Sequence, residues 1–207
     1  MHITDFAIGP LETNCFVVDN GKEAVAVDPG GSPEKVLAFL KQKNLVLTHI
    51  LLTHLHFDHT FGAAELARAT GAVILASDED RFMLDTEHGR GGIWGLPLVD
   101  PYEFVPVTEG EMSLLGERCT IFTTPGHTPG GLSFYFPSAG ALFSGDALFY
   151  RSVGRSDFPR GDHNTLVRSI REKLFTLPEE TKVYPGHGLL STIGDERRNN
   201  PHVGDFS

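Results

Sequence analysis

Residues 53–59 read THLHFDH and directly follow the apolar run ILL at 50–52. Three histidines and an aspartate lie within six residues, in a chain that has ten histidines altogether. Side chains two apart in extended backbone face the same way, so His54 and His56 could chelate one ion. Asp58 and His59 follow a turn, at the entry to a predicted helix, and could serve a second ion. The stretch therefore indicates a metal site.

Three more side chains of this kind follow apolar, strand-like segments. His127 comes after CTIFTT, Asp146 after ALFSG and His187 after KVYPG, and Pro-Gly precedes both of these histidines. If the strands lie side by side, the turns that follow them converge on one rim. Imidazole and carboxylate without thiolate suit Zn, Fe or Mn rather than a structural cysteine-type zinc site.

The remaining pattern predicts strands and helices mixed along the whole chain. Ser32 is predicted to cap a helix that has Pro33 at its first position, and Gly71 to end a second helix. Further strands are expected at 3–8, 15–19, 24–28 and 45–53, and a late helix at 164–175. This order suits sheets packed together with helices outside.

Composition narrows the class of protein. The 207 residues are 40% hydrophobic and 21% charged, which suits a globular chain with a sizeable core. A net charge of -10 argues against nucleic acid as a partner. There is no apolar run of about 18 residues to span a membrane and no secretory signal, so we expect a cytoplasmic protein. Cys15 and Cys119 are expected to be reduced, buried thiols.

The motif residues resemble a known family. His54-Leu55-His56-Phe57-Asp58-His59 matches the HxHxDH motif of the metallo-β-lactamase fold hydrolases. SVGRSDFPRGDH (152–163) and PGHGLLSTIGDERRNNP (185–201) resemble the short bacterial, glyoxalase II-type members of that family. The resemblance implies an α/β (α+β) fold, a four-layer αββα sandwich. It also implies a single domain over 1–207, without the C-terminal helical domain of the long glyoxalase II enzymes.

The resemblance also implies a dinuclear site, with a water or hydroxide between two divalent ions. Zinc is expected, with iron or manganese as alternatives. By carry-over, the ligands are His54, His56 and His127 for the first ion, Asp58, His59 and His187 for the second, and Asp146 as the bridge. Asp58 is also expected to orient the hydroxide or to take its proton.

The expected activity is hydrolysis of a small-molecule thioester by the metal-bound hydroxide, with S-D-lactoylglutathione giving D-lactate and glutathione. Arg155 lies near the position of a substrate-binding lysine of the family and could hold a glutathione carboxylate. Tyr150 and Arg151 are further substrate-binding candidates, and all three could equally be solvated loop residues. Asp157 could instead support a ligand histidine, and Trp94 could line a pocket or anchor a loop.

Two other functions compete with the thioesterase. A persulfide dioxygenase of this fold would hold a single Fe(II) through His54, His127 and Asp146, a two-histidine, one-carboxylate set. A non-catalytic metal-binding module would show no turnover. A true β-lactamase is disfavoured, because GRSDFPRGD (154–162) has closer kin among thioesterases.

Overall fold

The computed structural model describes residues 1–93 and 95–205, so Trp94 and its two suggested roles lie outside the described residues. The chain divides into two compact units. One comprises Met1–Val107 and Leu114–Gly116, and the other comprises Thr108–Ser113 and the chain from Glu117 onward. That residues 1–207 act as a single domain stays a prediction.

The first unit contains a six-stranded sheet in the order β1-β2-β3-β4-β5-β6. Its strands are β1 (His2–Ile8), β2 (Thr13–Asp19), β3 (Glu23–Val27), β4 (Val46–Leu51), β5 (Val73–Ala76) and β6 (Val105–Pro106). The first three strands pair antiparallel, and β3 to β6 pair parallel. The carboxyl ends of β3, β4 and β5 therefore share one edge, where functional side chains collect in sheets of this kind.

Four helices accompany this sheet: α1 (Glu34–Lys43), α2 (Phe57–Thr60), α3 (Ala63–Thr70) and α4 (Glu87–Arg90), with a 3₁₀ helix at Asp78–Asp85. The predicted cap of α1 is wrong, because Pro33 holds the N-cap position and makes no side-chain capping bond. A prolyl ring presets φ for the first turn, so a cap one residue later still starts the helix. Gly71 ends α3 in the left-handed conformation, as predicted.

The second unit contains a six-stranded sheet in the order β14-β13-β10-β9-β8-β7 and a separate two-stranded hairpin, β11-β12. Its strands are β7 (Gly110–Leu114), β8 (Glu117–Thr123), β9 (Leu132–Phe136), β10 (Ala141–Gly145), β11 (Leu148–Phe149), β12 (Ser152–Val153), β13 (Lys182–Pro185) and β14 (Ser191–Thr192). Antiparallel pairing on both sides of β9 makes β8 parallel to β10, and β10 is parallel to β13. The carboxyl ends of these three strands therefore meet at one edge.

Helices α5 (His163–Glu172) and α6 (Ile193–Asn199) belong to the second unit, with short 3₁₀ helices at Pro137–Ala139 and Leu174–Thr176. The predicted helix over 164–175 is thus two elements. Leu166, Ile170 and Leu174 are all fully buried in one apolar cluster, so the predicted buried face is confirmed.

Strands and helices are mixed in both units, which confirms the α/β (α+β) class. The four site-bearing strands do not all lie in one sheet. β4 belongs to the first sheet, whereas β8, β10 and β13 belong to the second. None of the helices in the described part of the chain is long and apolar enough to cross a membrane.

Candidate metal centre

The first unit carries four of the predicted ligands in the segment that follows β4. His54, His56, Asp58 and His59 are all buried, with exposures of 7% or less. The imidazole rings of His54 and His56 lie 4.7 Å apart between centroids, and those of His54 and His59 lie 4.1 Å apart. Helix α2 contains Asp58 and His59, whose Oδ2 and Nε2 atoms are 3.7 Å apart. The sequence cluster is therefore also a spatial cluster.

Asp28 orients two of these histidines, and the sequence reasoning missed it. The residue directly follows β3, is 1% exposed and adopts a left-handed φ of 48°. Its Oδ2 atom accepts hydrogen bonds from His59 Nδ1 at 2.9 Å and from Thr53 Oγ1 at 2.6 Å. Its Oδ1 atom accepts from the Thr53 backbone N–H at 2.8 Å. An acidic residue at the end of a buried strand, before PGG, was the signal that could have found it.

These bonds fix which ring nitrogen faces a cation. A carboxylate only accepts, so His59 carries its proton on Nδ1, and Nε2 is the nitrogen whose lone pair could meet a cation. The Thr53 hydroxyl donates to Asp28 and lies 3.0 Å from His54 Nδ1, so it accepts from that nitrogen. His54 therefore also presents Nε2. A carboxylate behind a histidine is the usual support of a metal-binding imidazole.

The second unit carries the other three predicted ligands at the carboxyl ends of β8, β10 and β13. His127 Nδ1 donates to the backbone carbonyl oxygen of Arg155 at 2.6 Å. Its Nε2 atom lies 3.5 Å from Asp146 Oδ2, and His187 Nε2 lies 3.9 Å from the same oxygen. One carboxylate oxygen is thus shared between two imidazole nitrogens.

The separations within both groups fit ligands that share a cation. Two atoms that each lie 2.0–2.2 Å from a tetrahedral zinc ion are about 3.4 Å from each other. The measured 3.5, 3.7 and 3.9 Å are near this value and longer than an N–H···O hydrogen bond. The histidine and aspartate groups in the described residues are able to hold metal.

Glycine at position 154 lets the backbone approach this second group. A Cβ atom there would lie 1.8 Å from the Asp146 carbonyl oxygen and 3.2 Å from His127 Nδ1. The same segment supplies the Arg155 carbonyl that holds His127. That carbonyl is a hydrogen-bond partner of the histidine, and the suggested support of a ligand histidine by Asp157 stays a prediction.

The predicted substrate-binding arginines both form ion pairs. Arg155 makes a two-pronged contact with Asp157, with both nitrogen–oxygen distances at 2.9 Å. This hydrogen bonding raises the pKa of Arg155 and lowers the pKa of Asp157. Arg151 contacts Asp195 at 3.0 Å, and its guanidinium lies 4.9 Å from the ring centre of Tyr150. Tyr150 is 44% exposed.

Neither cysteine is a candidate nucleophile. Both are buried and unbridged, as predicted. Burial raises the pKa of the Cys119 thiol to about 12 and that of Cys15 higher still. A thiol that stays protonated at neutral pH is inert.

Comparison with known proteins agrees with the motif. The family model described as the metallo-beta-lactamase superfamily matches residues 8–187. A protein of Haemophilus influenzae, hydroxyacylglutathione hydrolase GloC, is 37% identical over 214 residues, covering 100% of both chains.

Two solved structures are also similar along nearly the whole chain. The BLEG-1 B3 metallo-beta-lactamase has a TM-score of 0.91 and 36% identity, with 98% of this chain and 99% of that chain covered. TTHA1623 in a di-iron-bound form has a TM-score of 0.87 and 39% identity, with 96% and 98% covered. These likenesses confirm the predicted fold.

Proposed function

The chain belongs to the metallo-β-lactamase superfamily, and from that premise we propose that it is a glyoxalase II-like hydrolase that cleaves a thioester. S-D-lactoylglutathione, hydrolysed to D-lactate and glutathione, is the first candidate substrate. Full-length similarity to a hydroxyacylglutathione hydrolase supports this choice. A small-molecule thioester is thus the proposed partner, with neither nucleic acid nor a membrane, and the cytoplasm stays the predicted location.

The observation that carries the proposal is the preset orientation of the ligand histidines. His59 and His54 are held through Nδ1 by Asp28 and Thr53, and His127 is held through Nδ1 by a carbonyl. Hydrogen bonds to Nδ1 restrict the rotation of each ring, and this restriction is useful when Nε2 has to point at a cation. We propose that the two groups together form one dinuclear site with the ligand assignment given above, Asp146 being the bridge.

The donor set of imidazole and carboxylate fits zinc, iron or manganese, and we propose zinc first. The di-iron form of TTHA1623 supports a pair of cations in this fold. When bound, divalent cations lower the pKa of a coordinated water to about 7 and polarise a carbonyl oxygen.

The protein's own groups would then orient the reactants. Asp58 is buried, with 7% exposure, and belongs to the proposed ligand set, so its carboxylate would lie beside the attacking water and hold one of its protons. The leaving thiolate has a pKa of about 8.5 and departs without a strong general acid. An amide or ester substrate would need such an acid more.

Substrate contacts are proposed for the loop after Asp146. Tyr150 is exposed enough to meet a substrate directly. Arg155 can meet a glutathione carboxylate only by sharing or leaving its contact with Asp157. Arg151 would likewise have to leave Asp195.

The activity is tested with metal-loaded protein of measured metal content. Thiol release from S-D-lactoylglutathione is followed for the wild type, His56→Ala and His202→Ala. His202 is exposed and lies outside the proposed ligands, so its variant controls for loss of an imidazole. We expect turnover in the wild type and in His202→Ala and loss in His56→Ala. Absence of thiol release across a series of acyl thioesters, with turnover of a β-lactam instead, would refute the thioesterase.

Paired variants test whether Arg155 binds substrate. If it holds a substrate carboxylate, Arg155→Ala raises KM for S-D-lactoylglutathione, whereas Asp157→Asn, which leaves the guanidinium more available, lowers KM or leaves it unchanged. If both variants reduce kcat with KM unchanged, the pair supports His127 instead, and Arg155 is not a substrate ligand.

A mononuclear Fe(II) persulfide dioxygenase is the second candidate, because TTHA1623 shows that this fold accepts iron, although it holds two iron ions and the pair itself favours a dinuclear site. It would use His54, His127 and Asp146 as its ligands. One iron per chain, together with oxygen uptake when glutathione persulfide is the substrate, would favour the dioxygenase. Two cations per chain and thioester turnover without oxygen uptake would exclude it.

A further inference from the structure

Helix α6 belongs to the family-like stretch 185–201 and supplies none of the proposed ligands. It nevertheless contains Glu196, whose exposure is 0%. A buried carboxylate is costly unless hydrogen bonds replace its lost hydration. The partners of Glu196 therefore indicate why an acidic residue is placed there.

Four donors surround this carboxylate. Its Oε2 atom accepts from the Arg151 backbone N–H at 2.9 Å and from Asn200 Nδ2 at 2.8 Å. Its Oε1 atom accepts from Arg151 Nη1 at 3.3 Å and from the Ser191 hydroxyl. A carboxylate has about four lone-pair sites, so these donors saturate it.

The donors come from two different ligand-bearing segments. Arg151 is at the turn of the β11-β12 hairpin, which follows Asp146 directly, and has a left-handed φ of 56°. Ser191 begins β14, four residues after His187. Asn200 also donates to the carbonyl oxygen of the hairpin residue Ser152 at 3.0 Å.

We propose that Glu196 is a positioning residue that holds Asp146 and His187 at the separation a shared cation requires. The Glu196 carboxylate connects the segment after Asp146 to the segment after His187. The Oδ2 atom of Asp146 and the Nε2 atom of His187 lie 3.9 Å apart. The inference rests on the proposed function, because it takes Asp146 and His187 to be metal ligands.

The neighbouring Asp195 provides a matched control. It shares the Arg151 guanidinium with Glu196, but its side chain is 36% exposed. Its other side-chain partner is Asn199, within the same helix. Asp195→Asn therefore weakens the arginine pair without touching Ser191 or the hairpin backbone.

The test is the zinc affinity of the folded protein at 25 °C, measured by competition with a chromophoric chelator, for the wild type, Glu196→Ala, Glu196→Gln and Asp195→Asn. Circular dichroism at the same temperature establishes that each variant is folded. We expect Glu196→Ala to lose about five- to tenfold in affinity, at or below the low end of the 10–100-fold effect of groups bonded directly to a metal ligand, because Glu196 acts through the segments that carry the ligands. Glu196→Gln keeps one acceptor oxygen and is expected to lose less, and Asp195→Asn to stay within about twofold.

Each outcome decides the question. Wild-type zinc affinity in folded Glu196→Ala, with only a lower melting temperature, would mean that Glu196 merely stabilises the fold and would overturn the proposal. If Glu196→Ala does not fold, zinc affinity is compared in Glu196→Gln and Ser191→Ala instead. Wild-type affinity in both of these variants would overturn the proposal. A wild type that binds no zinc, iron or manganese would overturn the proposed function as well.

Discussion

Asp28→Asn is the substitution whose effect can be worked most fully from the structure. Asparagine also tolerates left-handed backbone, so the φ of 48° is retained without added strain. The amide oxygen can still accept from the Thr53 N–H. The amide nitrogen, however, then faces His59 Nδ1 and the Thr53 hydroxyl, both of which donate to Oδ2 in the wild type.

Two donors cannot share a hydrogen bond, so His59 is driven to place its proton on Nε2, where it blocks coordination. The Thr53 hydroxyl then accepts from the new amide nitrogen and can donate to His54 Nδ1, which moves the proton of His54 to Nε2 as well. Loss of one outer partner costs about tenfold in metal affinity, and two histidines are affected. These histidines are assigned to different ions, so we expect zinc binding to weaken about tenfold at each ion, or about 1.4 kcal/mol per ion.

The assay is zinc competition with a chelator, with circular dichroism on the same samples. Asp19→Asn is the matched control, because Asp19 is also a buried aspartate at a strand end and accepts from the Gly21 N–H instead of a ligand histidine. We expect its affinity to match the wild type. Zinc binding by folded Asp28→Asn within about twofold of the wild type would refute the orienting role of Asp28.

Three further predictions concern the second unit. Gly154→Ala places a methyl group 1.8 Å from the Asp146 carbonyl, so zinc affinity and melting temperature should both fall, and a variant with wild-type affinity would show that the segment adapts freely. The hydrogen bond from Arg151 lowers the pKa of Asp195, so this pair stabilises the fold above the unfolded pKa of about 4 and stops doing so as the pH falls through the lower folded pKa. Asp195→Asn should therefore make the free energy of unfolding in urea less dependent on pH between 4 and 2. An unchanged pH dependence would argue against this pair. The Cys119 thiol, with its pKa of about 12, should resist iodoacetamide at pH 8 until denaturant is added, and rapid labelling of the native protein would contradict its burial.

The proposed ligand residues stand out in the sequence because they follow short apolar strands at tight turns. His127, Asp146 and His187 come from parallel strands whose carboxyl ends meet at one edge of the second sheet, as a local pattern can indicate. Which sheet a strand joins depends on distant pairing, so the local pattern does not indicate that β4 belongs to a different sheet from β8, β10 and β13.

The supporting residues could not be predicted, because their roles arise only in the folded chain. Asp28 lies 31 positions from His59, and Glu196 lies 45 positions from Arg151. The sequence marks both positions, since Asp28 ends a strand before PGG and Glu196 follows Asp195 in a charged stretch, but it does not indicate which distant groups they contact. The carbonyl that accepts from His127 belongs to the backbone of Arg155, so the residue type at that position does not indicate it.

Anomalous diffraction from crystals of the zinc-loaded protein, recorded at the zinc edge, tests the central claim most directly. The account predicts two peaks, each contacted by side chains from both residues 54–59 and the set His127, Asp146 and His187, with Asp146 touching both. A single peak, or peaks contacted by only one of these two groups, would contradict it.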